Sequence, residues 1–192
     1  MEEIAIFPLR TVLYPGGPLS LRIFETRYID MVSRCLKEDD GFGVCLIKEG
    51  GETGPAQVHN TGTLARIQDW SQGQDGLLYI LARGEGRFRL HTRRLQADGL
   101  NLGEAESLPE EPAAAMPDAR RELAEILRQI IQQVEGAYAE LEPRYDDAGW
   151  VSNRLAELLP ISLAQRQYLL ELADPLKRIE ILATLVQSLA TQ

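Results

Sequence analysis

Phe7-Pro8-Leu9-Arg10-Thr11-Val12-Leu13-Tyr14-Pro15-Gly16-Gly17-Pro18-Leu19-Ser20-Leu21-Arg22-Ile23-Phe24-Glu25-Thr26-Arg27-Tyr28-Ile29-Asp30-Met31-Val32 is the stretch on which the fold turns. From Ile4 to Leu21, short apolar segments are broken by Pro8, Pro15, Gly16, Gly17 and Pro18. They read as strands that must bend, because proline cannot donate to a ladder and is confined to edges and turns. A helix follows. Phe24, Tyr28, Met31, Val32, Cys35 and Leu36 recur at the i, i+3, i+4 spacing of a buried stripe, so the helix plugs an apolar face against the sheet. It stops near the charges and glycine of residues 37–41.

Strand-like segments return at 42–48, 58–70, 77–83, 86–95 and 100–105, separated by glycine-rich turns at Gly50-Gly51, residues 73–76, Gly84 and Gly99. Short strands at this spacing suggest a small barrel. Residues 107–117 carry three prolines and no periodicity, as a semi-rigid linker does. Beyond it the period changes from 2 to 3.6. Leu123, Ile126, Leu127, Ile130, Ile131, Val134, Tyr138 and Leu141 draw one stripe on a helix of roughly six turns. Its partners are a helix over 150–159, one opened by Ser162 with Gln165 at capping-box spacing, and one opened by Asp174 with Pro175 at its first position. The second half is thus expected to be a four-helix assembly.

The opening stretch, together with Phe42-Gly43-Val44, resembles the start of the N-terminal substrate-recognition domain of Lon proteases, a module also present in cereblon and in stand-alone bacterial proteins. Tyr14 stands where the family pattern usually has Phe, and Ser20 where it has Pro. Gly86-Arg87-Phe88 and the helical tail from Trp150 to Leu189 extend the resemblance over nearly the whole chain. It implies an α+β protein with a PUA-like β-barrel at 1–106, a linker at 107–117 and an α-helical domain at 118–192. It also implies a module for recognising polypeptides rather than a reaction.

Composition bounds the function classes. The 192 residues are 44% hydrophobic, enough for one sizeable core or two small ones. Net charge is -9. Residues 1–103 hold 12 Lys or Arg against 13 Asp or Glu, whereas residues 104–192 hold 8 against 16. Affinity for phosphate comes largely from cations that displace counterions, so this balance argues against DNA and against anionic membranes. Met1-Glu2-Glu3-Ile4 is acidic where a signal peptide needs positive charge, and the apolar runs are too short to span a bilayer. The expected location is the cytoplasm, where the two cysteines stay reduced.

Catalytic signals are absent. A phosphate-binding loop needs glycine before its lysine, but Lys37, Lys48 and Lys177 follow Leu36, Ile47 and Leu176. No cluster has metal-ligand spacing, so neither metal nor cofactor is expected. Cys35 and Cys45 could pair with His59 or His91 as thiol and base, but each lies in an apolar run where cysteine is an inert small hydrophobe. Gly84-Glu85-Gly86 lacks the third glycine of a dinucleotide fingerprint and reads as a hairpin turn.

Three sets of residues carry binding readings. Phe7, Leu9 and Tyr14 are expected to line a peptide-binding groove beside the helical half, because interrupted strands leave edge and apolar surface uncovered. Glu25, Arg27 and Tyr28 read mainly as scaffold, with a ligand groove as the lesser reading. Arg87, Arg89, His91 and Arg93 alternate with Phe88 and Leu90, so on a strand they share one cationic face. That face would grip RNA phosphates or a partner's carboxylates, unless it is a solvated outer face, the reading favoured here. The leading function is therefore a non-enzymatic protein-interaction module for unfolded or degron-bearing polypeptides, or for a protease or chaperone partner. An RNA-binding PUA-like domain is the runner-up, and an enzyme built on His59 or His91 the third reading.

Overall fold

The computed structural model describes residues 1–52 and 56–191, leaving the last residue of the expected helical domain, Gln192, outside. The chain is α+β and separates into two compact units, residues 1–109 and 110–192.

Among the described residues the first unit contains seven strands and one helix: β1 (Glu2–Leu9), β2 (Pro18–Ile23), α1 (Thr26–Glu38), β3 (Phe42–Gly50), β4 (Ala56–Val58), β5 (Thr61–Gln72), β6 (Leu78–Leu95) and β7 (Asn101–Ser107). β1 is shared between two neighbours. Its first half pairs antiparallel with β7, from Glu2 opposite Ala105 to Ile6 opposite Asn101, and its second half pairs parallel with β3, from Ile6 opposite Gly43 to Leu9 opposite Leu46. Since β3 pairs with β5, β5 with β6 and β6 with β7, the hydrogen-bonded path returns to β1. A strand held this way buries both faces, and the two-residue period sorts its side chains. Ala5, Phe7 and Leu9 enter one apolar cluster with Tyr28, Met31, Val32 and Cys35 of α1, while Ile4 and Ile6 enter another with Cys45, Phe88 and Leu90. The uncovered β1 edge expected from Pro8 is therefore closed, with Pro8 opposite Cys45 in the parallel ladder.

The α1 stripe is narrower than expected. Phe24 is 56% exposed because it precedes the N-cap Glu25, and Leu36 is 42% exposed because it lies a further 100° round from Cys35. The glycine turn at Gly73 to Gly76 forms, with Gly76 at φ 77° and its N–H bonded to the Gly73 carbonyl. Gly84-Glu85-Gly86 is not a turn: the expected strands on either side of it are one strand, β6. Between Thr63 opposite Arg87 and Ala65 opposite Gly84 the ladder slips by one residue, which is a β-bulge. Glycine is needed at position 84 for close approach, since a Cβ there would sit 2.2 Å from the Tyr14 carbonyl oxygen.

The second unit contains α2 (Arg121–Ile131), α3 (Ala148–Leu158), α4 (Leu163–Glu171) and α5 (Pro175–Ala190). The expected six-turn helix ends at Ile131; the chain then passes through a 3₁₀ turn at Gly136–Tyr138, with Gly136 at φ 73°. Its apolar pattern continues only because Leu141 folds back to a buried position. The caps were readable. Ser162 and Gln165 form the reciprocal capping box, and Asp174 accepts from the N–H groups of Leu176 and Lys177 behind Pro175. Val151 to Glu157 are buried without interruption, so α3 is the central helix of its unit. Two arginines, Arg154 and Arg178, are fully buried there. Arg154 pairs with Glu157 at 2.8 Å; Arg178 forms a fork with Glu111 and bonds Asn153 and the carbonyls of Leu169 and Leu172.

Candidate functional site

The residues expected to line a peptide groove are core residues. Phe7 stacks on Tyr28 with ring centroids 3.9 Å apart and planes 7° from parallel, and Leu9 joins the same cluster. Tyr14 is fully buried. Interrupting a strand with Pro8 does not expose its neighbours when the strand is paired in both halves, so none of the three offers a surface to a ligand.

Glu25, Arg27 and Tyr28 form a tight internal set. Arg27 Nε donates to Glu25 Oε2 at 2.9 Å, its Nη1 donates to the Gly99 carbonyl at 2.6 Å, and the guanidinium lies 4.6 Å from the Tyr28 ring centroid. Arg27 thus ties the start of α1 to the β6–β7 turn. Burial, partly offset by Arg27, pushes the Tyr28 hydroxyl up to about 12.

The cationic face on β6 does not form as a row. Arg87 is buried, while Arg89, His91 and Arg93 are exposed. A second bulge, between Leu90 opposite Ala105 and Thr92 opposite Glu104, breaks the alternation at His91. His91 Nε2 lies 2.8 Å from Glu106 Oε2, and Arg93 donates to the Ala56 carbonyl. His91 and Arg93 thus have intramolecular partners, which an alternation count along one strand cannot reveal.

Both cysteines are buried. Burial is the main cause that pushes the Cys35 thiol up to about 11 and the Cys45 thiol up to about 12. At pH 8 the thiolate of Cys35 is then about one part in a thousand, and thiolate is the reacting species. Folded protein is expected to react with iodoacetamide at least about tenfold more slowly than urea-unfolded protein. Equal rates by mass spectrometry would show an accessible, reactive thiol. Among the described residues no group of three His, Cys, Asp or Glu is placed to hold a metal ion, and no helix is long and apolar enough to cross a membrane.

The surface that sequence reasoning missed lies on the outer side of β2, β5 and β6. Ser20, Arg22, Asp69, Ser71, Tyr79 and Leu81 line an open depression of about 410 Å³. Trp70 beside it is 55% exposed and Tyr79 is 36% exposed. β2 pairs with β6 alone, so its second edge carries no strand among the described residues. The signal was present in the alternation Pro18-Leu19-Ser20-Leu21-Arg22-Ile23, which marks a strand with one wet face. A separate apolar surface on the helical unit, lined by Pro117, Tyr168, Leu172, Leu176 and Ile181, encloses about 520 Å³. Exposed apolar area of this kind is what a protein-binding surface needs.

Known proteins share this architecture. The sequence matches the family model of the ATP-dependent protease La (LON) substrate-binding domain over residues 3–188. Lon protease of Escherichia coli (strain K12) is 26% identical over 200 residues, covering 97% of this chain and 25% of that protein. Protein cereblon of Danio rerio is 30% identical over 114 residues, covering 57% of this chain and 26% of that protein. The chain therefore spans about a quarter of the length of these relatives. A solved Lon N-terminal domain protein from Xanthomonas campestris has a TM-score of 0.81 at 36% identity, covering 96% of this chain and 98% of its own. The N-terminal domain of Mycobacterium avium complex Lon protease shares the fold, with a TM-score of 0.64 at 16% identity over 94% of this chain and 96% of that one. With the family match running from β1 into the last turns of α5, and a solved relative of the same extent, the chain belongs to the family of Lon substrate-binding domains.

Proposed function

We propose that this chain is a non-enzymatic polypeptide-binding module that holds unfolded or degron-bearing segments, with no ATPase or peptidase activity of its own. The observation that carries the reading is the family match over residues 3–188, which is to a substrate-binding domain. The open surface at Tyr79 and Leu81 and the separate apolar surface at Tyr168, Leu172 and Leu176 support it, because clients in need of quality control share exposed apolar chain rather than a sequence. The closed strand path supports a PUA-like barrel as the platform, and α2 to α5, with α3 at their centre, support a four-helix bundle beside it in sequence. A cytoplasmic module of this type would deliver clients to a protease or chaperone partner.

The test is a titration with reduced, carboxymethylated lactalbumin and with the native protein. Binding is expected at micromolar concentrations for the unfolded form and at least about tenfold more weakly for the native form. Because apolar burial dominates, added salt should change the affinity little. Equal affinity for both forms, or none for either, would remove the reading.

A further inference from the structure

β2 has one paired and one open edge, and the hydrogen-bond parity says which of its backbone groups face the opening. Gly84 N–H donates to the Gly17 carbonyl at 2.9 Å, so bonded pairs recur every second residue along the antiparallel ladder from there. Leu19 with Ala82, Leu21 with Ile80 and Ile23 with Leu78 are the bonded pairs. Ser20 and Arg22 stand opposite Leu81 and Tyr79 in the non-bonded pairs, and turn their N–H and C=O groups away from β6. Among the described residues no group bonds to Ser20 or Arg22 on that side. Pro18, which has no N–H, bounds the site at one end, and buried Ile23 bounds it at the other.

The side chains define what would fit. Leu19 and Leu21 lie on the inner face, partly buried and packed against the core cluster that includes Ile23 and Ile80. A strand added at this edge would lay every second side chain beside them and extend that apolar layer. Its other side chains would fall beside Ser20 and Arg22 on the outer face. Arg22 is exposed, and its charge acts on the Asp75 carboxylate without a salt bridge between them among the described residues, so a client carboxylate set opposite it would share that positive charge with Asp75.

We propose that the free edge of β2 receives an extended polypeptide segment whose alternate side chains are apolar, with an acidic residue set against Arg22. The inference rests on the polypeptide-binding reading above and specifies its site. Backbone bonds from Ser20 and Arg22 supply affinity that is indifferent to sequence, while Leu19, Leu21 and Arg22 supply a preference. This is the chemistry of strand addition to a sheet edge.

The test uses the full chain and the same reduced, carboxymethylated lactalbumin. Ser20→Pro removes the outward N–H but no bond of the β2–β6 ladder, and Ser20→Ala is the side-chain control. We expect Ser20→Pro to weaken binding at least about tenfold and Ser20→Ala to leave it unchanged. We also expect client to slow amide exchange at Ser20 and Arg22 of the native chain, a readout that stands even where the proline variant fails to fold. Unchanged binding by a folded Ser20→Pro variant, or no added protection at these amides while client binds, would overturn the site and leave the polypeptide-binding reading standing. Absence of any binding by the native chain would overturn both. Protection of Ser20 and Arg22 that rises with protein concentration in the absence of client would assign the edge to a second copy of this chain and overturn the proposal.

Discussion

Arg178→Ala is expected to lower the stability of the helical unit by about 3–5 kcal/mol, a large fraction of the about 5–15 kcal/mol of a domain of ordinary stability. The guanidinium is fully buried on α5 and reaches five groups: Glu111, Ser152, Asn153 and the carbonyls of Leu169 and Leu172. Deleting it takes the fork partner from the Glu111 carboxylate, whose side chain is 14% exposed, and one donor each from the carbonyls of Leu169 in α4 and Leu172 just after it. The cost is dominated by those stranded groups rather than by the lost attraction, because a buried ion pair gains little over an apolar pair of the same shape. Arg178→Lys should therefore rescue little, as an ammonium cannot make the fork to Glu111 and reach both carbonyls. The paired change Arg178→Met with Glu111→Gln should be the milder of the three, since it removes the charge from both sides. Urea melts followed by circular dichroism decide it. An Arg178→Ala melt within about 1 kcal/mol of the native one would mean that water or rearrangement satisfies those groups and that the network is decorative.

Phe7→Ala is expected to cost about 3–5 kcal/mol in the first unit. Phe7 is buried against Tyr28 in a face-to-face stack and also meets Phe42 at 6.0 Å, so truncation opens a cavity between α1, β1 and β3. Phe7→Leu keeps most of the volume and loses mainly the aromatic contact, worth about 0.5–1.5 kcal/mol beyond area. The pair of variants separates packing from recognition. Client binding should follow the folded fraction: nearly lost in Phe7→Ala at a temperature where it is unfolded, and kept in Phe7→Leu. A Phe7→Ala variant as stable as the native protein but unable to bind client would restore Phe7 to a ligand surface.

These two sites show where local pattern stopped being informative. The amphipathic α1, the glycine turn before β6 and the caps at Ser162 and Asp174 all depend on a few neighbouring residues, and the chemistry of those residues dictates them. Phe7, Leu9 and Tyr14 read as exposed because proline-broken strands usually lie at an edge. β1 escapes that rule by pairing with β7 in one half and β3 in the other, partners 95 and 37 residues away at Ile6↔Asn101 and Leu9↔Leu46 register positions that no local window contains. The cationic alternation on β6 failed for a related reason. Register shifts between Thr63 and Ala65 and at His91 interrupt the pleat, and Arg87 is buried.

The sequence by itself determined that this is an α+β chain with a β-rich first half and a helical second half, where α4 and α5 start, and to which family it belongs, because periodicity, capping and a family motif are carried by short runs of residues. Tertiary structure alone decided which strand is doubly paired and which is open. It thereby moved the candidate binding surface from Phe7, Leu9 and Tyr14 to the edge of β2 beside Tyr79 and Leu81. A strand's free edge is defined by the absence of a neighbour, and whether a neighbour comes is settled by residues far along the chain that compete to satisfy its backbone groups.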